Sequence, residues 1–259
     1  MIKRYRSGGN DEPQREWRAL TLLHEHAQGV APAPLGADLD ADPPTVIMSR
    51  LSGIPLECGP AADLAVAVAN AVARVQEAIP SRTLTDLPAR AGHPLELLQQ
   101  VRTWCAAVPR PANNPTVIEA FRRTDAWLRQ PALEAVLERP TRPVFGTGDG
   151  NLANFLWDGT EVYLVDFEYS GRSDRPYELA ELAEHISVRT ANGPGMDDVL
   201  DRFDLDSAEV GKLKNCRRLL AAFWLLRIMG DGRGDPRIRA EVLTGQATRL
   251  LTLLETRDP

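Results

Sequence analysis

Three oxygen-bearing side chains, Asp149, Asn154 and Asp166, stand around one turn of this 259-residue chain, within the stretch VFGTGDGNLANFLWDGTEVYLVDFE from Val144 to Glu168. A carboxylate beside an amide oxygen, with few bases nearby to neutralise them, suits a hard cation such as Mg2+, which takes oxygen ligands and leaves its other positions to water or phosphate. A further carboxylate just outside that pair can receive a proton. An Asp, an Asn five positions later and an Asp closing the next strand repeat the arrangement used in phosphoryl transfer. There one Asp accepts the proton of the attacking hydroxyl while the Asn and the second Asp hold the metal. A plainer reading stands beside this one: Asn and Asp at strand ends also close turns through local backbone hydrogen bonds, and GTGDGN is turn chemistry.

The elements that must position these residues are legible around them. NFLW and TEVYLVDF are apolar runs joined at Asp158-Gly159, a dipeptide that tolerates the positive φ angles of a hairpin turn. With a loop from Asp158 to Glu161, Trp157 faces Val162 and Asn154 faces Val165, so Asn154 and Asp166 become neighbours and Asp149 lies on the loop upstream. Near the N-terminus, EPQREWRALTLLHEHA predicts a helix over residues 12–27, and the branched run Thr45–Met48 predicts a short strand leading into an irregular linker. Apolar residues at three- and four-residue intervals predict helices through the middle of the chain and again after Asp174. Strand signals segregated from helical ones point to an α+β fold, a small N-terminal piece followed by a mostly helical remainder.

Charge and composition narrow the function classes. Acids outnumber bases by 36 to 30, a net charge of -6, which argues against a nucleic-acid groove. Cys58, Cys105 and Cys216 are far apart and in no ligand spacing, as expected of reduced thiols. No apolar run reaches the length of a membrane span, and MIKRYRSGGNDEP has no apolar signal core, so a cytoplasmic location is expected. His24 and His26 point in different directions on their helix, and His93 and His185 have no partner at ligand spacing. Phe223 and Trp224 read as core packing, and Gly230–Arg237 as a turn between helices.

The segment GTGDGNLANFLW…YLVDFEYSGRSDRPYELAEL resembles the catalytic segment of the aminoglycoside phosphotransferase family, relatives of choline kinases and protein kinases. Gly148-Asp149, Asn154, Val165-Asp166-Phe167-Glu168 and Glu178-Leu179-Ala180 stand at the matching positions, while Thr147 replaces the family's histidine. The resemblance implies a protein-kinase-like fold, with an N-terminal lobe over residues 1–51 (an incomplete sheet and one helix) and a helical lobe over 52–259. It implies Asp149 as the catalytic base, and Asn154 and Asp166 as ligands of Mg2+. MIKRYR is similar to the family's lysine strand, which makes Lys3 the phosphate-gripping lysine. REWRALTLL is similar to the helix whose glutamate pairs with that lysine, which makes it Glu16. VIMSRLSG is similar to the hinge between lobes, where the backbones of Ser49 and Leu51 would contact adenine.

The implied activity is transfer of the γ-phosphoryl group of ATP or GTP to a hydroxyl of a small molecule. Between Asp174 and Asp206 nine acids face three arginines, a surface that could attract a polycationic aminoglycoside or remain as solvated helix faces. The resemblance also implies two strands and a glycine loop ahead of the lysine strand. Two residues precede Lys3, and SGGN at Ser7–Asn10 follows it. The expectation is therefore a truncated N-terminal lobe or a start upstream of Met1, and, as an alternative function, a kinase-like binding protein of impaired catalysis.

Overall fold

The computed structural model describes residues 1–7, 10–56, 64–109, 111–190, 195–230 and 236–256; Gly8 and Gly9 of the SGGN stretch, Cys58, and most of the turn expected at Gly230–Arg237 lie outside the described residues. The N-terminal part opens with strand β1 (Ile2–Arg4), helix α1 (Glu12–His26), strand β2 (Pro34–Asp38) and strand β3 (Thr45–Met48). The strands form an antiparallel sheet in the order β1-β3-β2, which sets Lys3 opposite Val46. Pro13 in the first turn has no N–H to leave unsatisfied, and Glu12 at the start with His24 and His26 at the end suits the helix dipole. The face of α1 carrying Ala19, Leu20 and Leu23 is buried and lies toward β2 and β3.

β2 was not expected from its sequence. PLGAD is built from residues depleted in strands, and its pairing with β3, interrupted by an irregularity between Pro34 and Gly36, supplies the order that local propensity does not.

A second sheet, β4-β6-β7, joins the two-residue β4 (Ile54–Pro55) to the hairpin of β6 (Phe155–Trp157) and β7 (Val162–Leu164). The hairpin has the expected register: Trp157 opposes Val162, and the Val165 N–H donates to the Asn154 carbonyl at 3.0 Å. Its turn is closed by the Asp158 carboxylate, which accepts from the backbone N–H groups of Thr160 and Glu161, with Gly159 at φ 106°. A third, two-stranded sheet pairs β5 (Pro143–Gly146) with β8 (Gly171–Asp174).

Helices make the rest: α2 (Leu64–Ala78), α3 (Ser81–Asp86), α4 (Pro94–Ala107), α5 (Pro115–Leu128), α6 (Leu133–Glu138), α7 (Arg175–Glu184), α8 (Ile186–Thr190), α9 (Met196–Leu200), α10 (Ser207–Gly230) and α11 (Pro236–Glu255). α10 is the central one, packed against α7, α11, α4 and α6. Leu213, Cys216, Leu219, Leu220, Ala222 and Leu226 bury it on several sides, as a core helix requires. Its aromatic pair is only half-buried: Phe223 stacks on Trp104, and Trp224 meets His185 edge-on, with centroids 4.8 Å apart. No helix among the described residues is long and apolar enough to cross a membrane.

Candidate active site

Asp149 sits on the loop between β5 and a single 3-10 turn, Leu152–Asn154. Its Oδ1 accepts the Asn151 N–H at 3.0 Å, a closure local to the loop. Its Oδ2 accepts from Asn154 Nδ2 at 3.1 Å. Asn154 thus turns its amide nitrogen toward Asp149 and keeps its side-chain oxygen for another partner. The hairpin register places Asn154 beside Val165, next to Asp166. Asp166 has φ 68°, a left-handed backbone found at no other non-glycine residue among those described. A branchless polar side chain tolerates that conformation best, and strain of this kind is kept where the surrounding structure fixes it.

Lys3 reaches this strand end from the far end of the sequence. Its Nζ lies 2.6 Å from Asp166 Oδ1, 2.9 Å from Glu168 Oε2 and 3.1 Å from Glu16 Oε2. Glu16, 1% exposed, also accepts the Phe167 N–H at 2.8 Å, so one carboxylate ties the lysine, α1 and the backbone beyond Asp166 together. Burial works against the Lys3 charge, but Glu16 and Asp166 outweigh it and hold the ammonium above the ordinary lysine range. Burial likewise pushes Glu16 up, against the pull of Lys3. A cation already rests on Asp166, and the donors there are a carboxylate and an amide oxygen. That set fits Mg2+, which accepts few protein ligands and fills its octahedron with phosphate and water. Among the described residues no three His, Cys, Asp or Glu converge as a closed metal cluster.

Of the two residues expected at a hinge, Ser49 spends its N–H on the Ala33 carbonyl at 2.9 Å, and its hydroxyl accepts the Ala33 N–H at 2.8 Å. The Ser49 carbonyl and the Leu51 N–H have no backbone partner among the described residues, leaving one acceptor and one donor just beyond β3.

Two residues here carry no local signal in the sequence, and a third, Glu168, lies in the matching Val165-Asp166-Phe167-Glu168 segment without a role assigned to it. His185 has no partner at ligand spacing in the sequence, yet the end of α7 brings its Nε2 to 3.5 Å from Asp149 Oδ1. Its Nδ1 accepts from the Ser187 N–H and meets the Ser187 hydroxyl, so the ring proton belongs on Nε2, facing Asp149. Burial lowers the His185 pKa, Asp149 pulls it back up, and Arg227 lowers it further. Arg90, from a Pro- and Gly-punctuated loop with no local signal, is buried behind the loop of Asp149 against Glu178 and Glu181.

These contacts correct the acidic-surface expectation in part, since Asp197, Asp198, Asp201, Asp204 and Asp206 are exposed while the acids of α7 and its N-cap are not free. Glu178 and Glu184 are buried, Glu184 is paired with Arg217 and Arg249, and Asp174 is paired with Lys212. Burial pushes the Glu181 carboxyl up to about 7, opposed by Arg90 and reinforced by Glu178 and Asp149. An acid whose folded pKa is raised stabilises the fold while it is protonated. Its contribution is full below the ordinary value of 4.5 and is lost as pH rises through about 7. Glu181→Gln, neutral throughout, is therefore expected to gain on the parent protein between those pH values by on the order of 3 kcal/mol, read from urea unfolding at a series of pH values.

The whole chain matches known folds of one kind. A choline/ethanolamine kinase family protein from Mesorhizobium loti superposes with a TM-score of 0.64 at 18% identity, covering 98% of this chain and 82% of that one. A spectinomycin phosphotransferase in complex with ADP and spectinomycin gives 0.62 at 8% identity, covering 97% and 85%. A thermostable mutant of an aminoglycoside phosphotransferase, in a ternary complex with ADP and hygromycin B, gives 0.60 at 14% identity, covering 98% and 93%. No curated protein sequence matches significantly. The model of the phosphotransferase enzyme family, APH, matches residues 1–213, so the strand of Lys3, the loop of Asp149 and the strand end of Asp166 all fall inside it, and the chain belongs to that family of small-molecule phosphotransferases.

Proposed function

We propose that this protein transfers the γ-phosphoryl group of ATP to a hydroxyl of a small molecule in a Mg2+-dependent reaction. The observation that carries this reading is the convergence of Lys3, Glu16 and Asp166 from distant parts of the chain, beside the hydrogen-bonded pair Asp149 and Asn154. Asn154 and Asp166 would hold Mg2+, which supplies charge neutralisation on the transferring phosphate. Lys3, kept charged and anchored by Glu16, grips the phosphates. The Ser49 carbonyl and the Leu51 N–H read the edge of the purine. Asp149 takes the proton of the acceptor hydroxyl and orients it, so that catalysis comes chiefly from positioning and fixed charge. Residues 1–51 and 52–259 act as two lobes about that hinge.

An amino-sugar antibiotic is the acceptor to test first, given the spectinomycin and hygromycin B complexes among the structural neighbours. Purified protein is incubated with MgATP or MgGTP and a panel of aminoglycosides, choline and other hydroxylated amines, and phosphorylated product is read by mass spectrometry. The absence of product across the panel, together with stabilisation by nucleotide that ignores Mg2+, would favour the impaired binding protein instead.

Asp166→Asn gives a sharper check on the metal. In the parent protein, MgATP at about a hundred times its Kd stabilises the fold by about 2.7 kcal/mol. In the variant the melting shift with MgATP is expected to fall to that with ATP and EDTA. An unchanged difference between the two conditions would remove Asp166 from the metal site.

A further inference from the structure

We propose that Arg90 is the positioning residue of the loop that carries Asp149, an inference that rests on the reading of Asp149 as the base. The Arg90 side chain is 5% exposed. One guanidinium nitrogen, Nη1, donates to Glu178 Oε1 at 2.9 Å, and the other, Nη2, donates to the Gly148 carbonyl at 2.9 Å. Glu178, on α7, accepts the Thr147 N–H through its second oxygen at 3.1 Å. The Arg90–Glu178 pair therefore holds a backbone donor and a backbone acceptor in the two residues directly ahead of Asp149. Glu181 Oε2, 3.4 Å from Nη2, is a further acceptor for the same guanidinium.

Arg90 is itself fixed. Its Nε donates to the Ala91 carbonyl at 2.9 Å, and the guanidinium lies over the Tyr177 ring, 4.8 Å from the centroid. Its backbone N–H donates to the Arg172 carbonyl, and the Ala91 N–H to the Tyr169 carbonyl. The segment is thus laced to the chain just beyond Asp166 and Glu168. Burying a guanidinium is costly, and a planar fork that serves a carboxylate and a carbonyl at once is what the expense provides. A lysine has the charge but not the fork.

The test is Arg90→Lys in the full-length protein, followed by hydrogen exchange and by turnover of MgATP with water as the acceptor. Amides of Thr147 and Asn151 are expected to exchange at least tenfold faster while peptides of α10 keep the parent rate. The maximal rate should fall at least tenfold with the KM for MgATP within twofold, and Arg90→Met should be slower still. A general loss of packing would instead speed exchange in α10 too and move KM, and that result would overturn the proposal. So would parent exchange rates at Thr147 and Asn151 in a folded variant. Should Arg90→Lys fail to fold, the neutral double variant Arg90→Gln/Glu178→Gln gives the same comparison. A parent protein without any MgATP turnover would count against the phosphotransferase reading, while the exchange rates would still decide the role of Arg90.

Discussion

Asp149→Asn is expected to lower phosphoryl transfer about a thousandfold while leaving the Kd for MgADP within about twofold, as loss of a positioned general base does. The substitution keeps the volume of the side chain and one oxygen to accept the Asn151 N–H, so the loop can keep its closure. It removes the negative charge and the site that takes the acceptor's proton. The nucleotide contacts proposed for Lys3 and Asp166 stay in place, and although the Asn154 amide loses its acceptor at Oδ2, turnover should fall far more than binding. Steady-state rates beside calorimetric titration of MgADP make the comparison. Full turnover would eliminate Asp149 as the base, and a parallel loss of nucleotide affinity would place it among the ligands of the metal.

Gly148→Ala is expected to be the most damaging single methyl in the site. Gly148 has φ 85°, where a side chain costs about 1–2 kcal/mol from backbone sterics alone. A Cβ there would lie 2.4 Å from the Tyr169 carbonyl oxygen, a backbone atom that cannot swing aside. The Gly148 carbonyl is also the acceptor of Arg90 Nη2, so any shift that relieves the contact disturbs that bond. Together these effects should destabilise the protein by roughly 3 kcal/mol or more, at or above the top of the range usual for single substitutions. Turnover should fall with stability. Unfolding in urea measures the first, and a loss below about 1 kcal/mol would mean that the loop relaxes more freely than its packing implies.

Much of the site was readable because it is local. Asn154 and Asp166 flank one hairpin and Asp149 lies on the loop just upstream, and an Asp-Gly turn between apolar runs leaves little choice of register. The helical remainder was readable for the same reason, since apolar spacing is written within each segment. What stayed hidden depends on pairing at a distance. β2 is a strand only because β3 lies beside it. His185 reaches Asp149 only because α7 ends there, and Arg90 is a buried charge whose partners lie far along the chain. Lys3 and Glu16 looked like ordinary surface charges by local criteria, and resemblance to a family rather than composition singled them out.

The reach of Lys3 also bears on how the protein comes into being. Its bond to Asp166 spans 163 residues, and Glu16 waits 151 residues for the Phe167 amide. During synthesis the first strand leaves the ribosome long before either partner exists, although β3 can already shelter it. Closing loops of this size carries an entropic cost that local pairing does not, so the hairpin can form early while the charge cluster forms late. Chains arrested before Asp166 would hold a paired N-terminal sheet and an unfinished site. Nucleotide binding during synthesis would then report completion of the fold rather than its beginning.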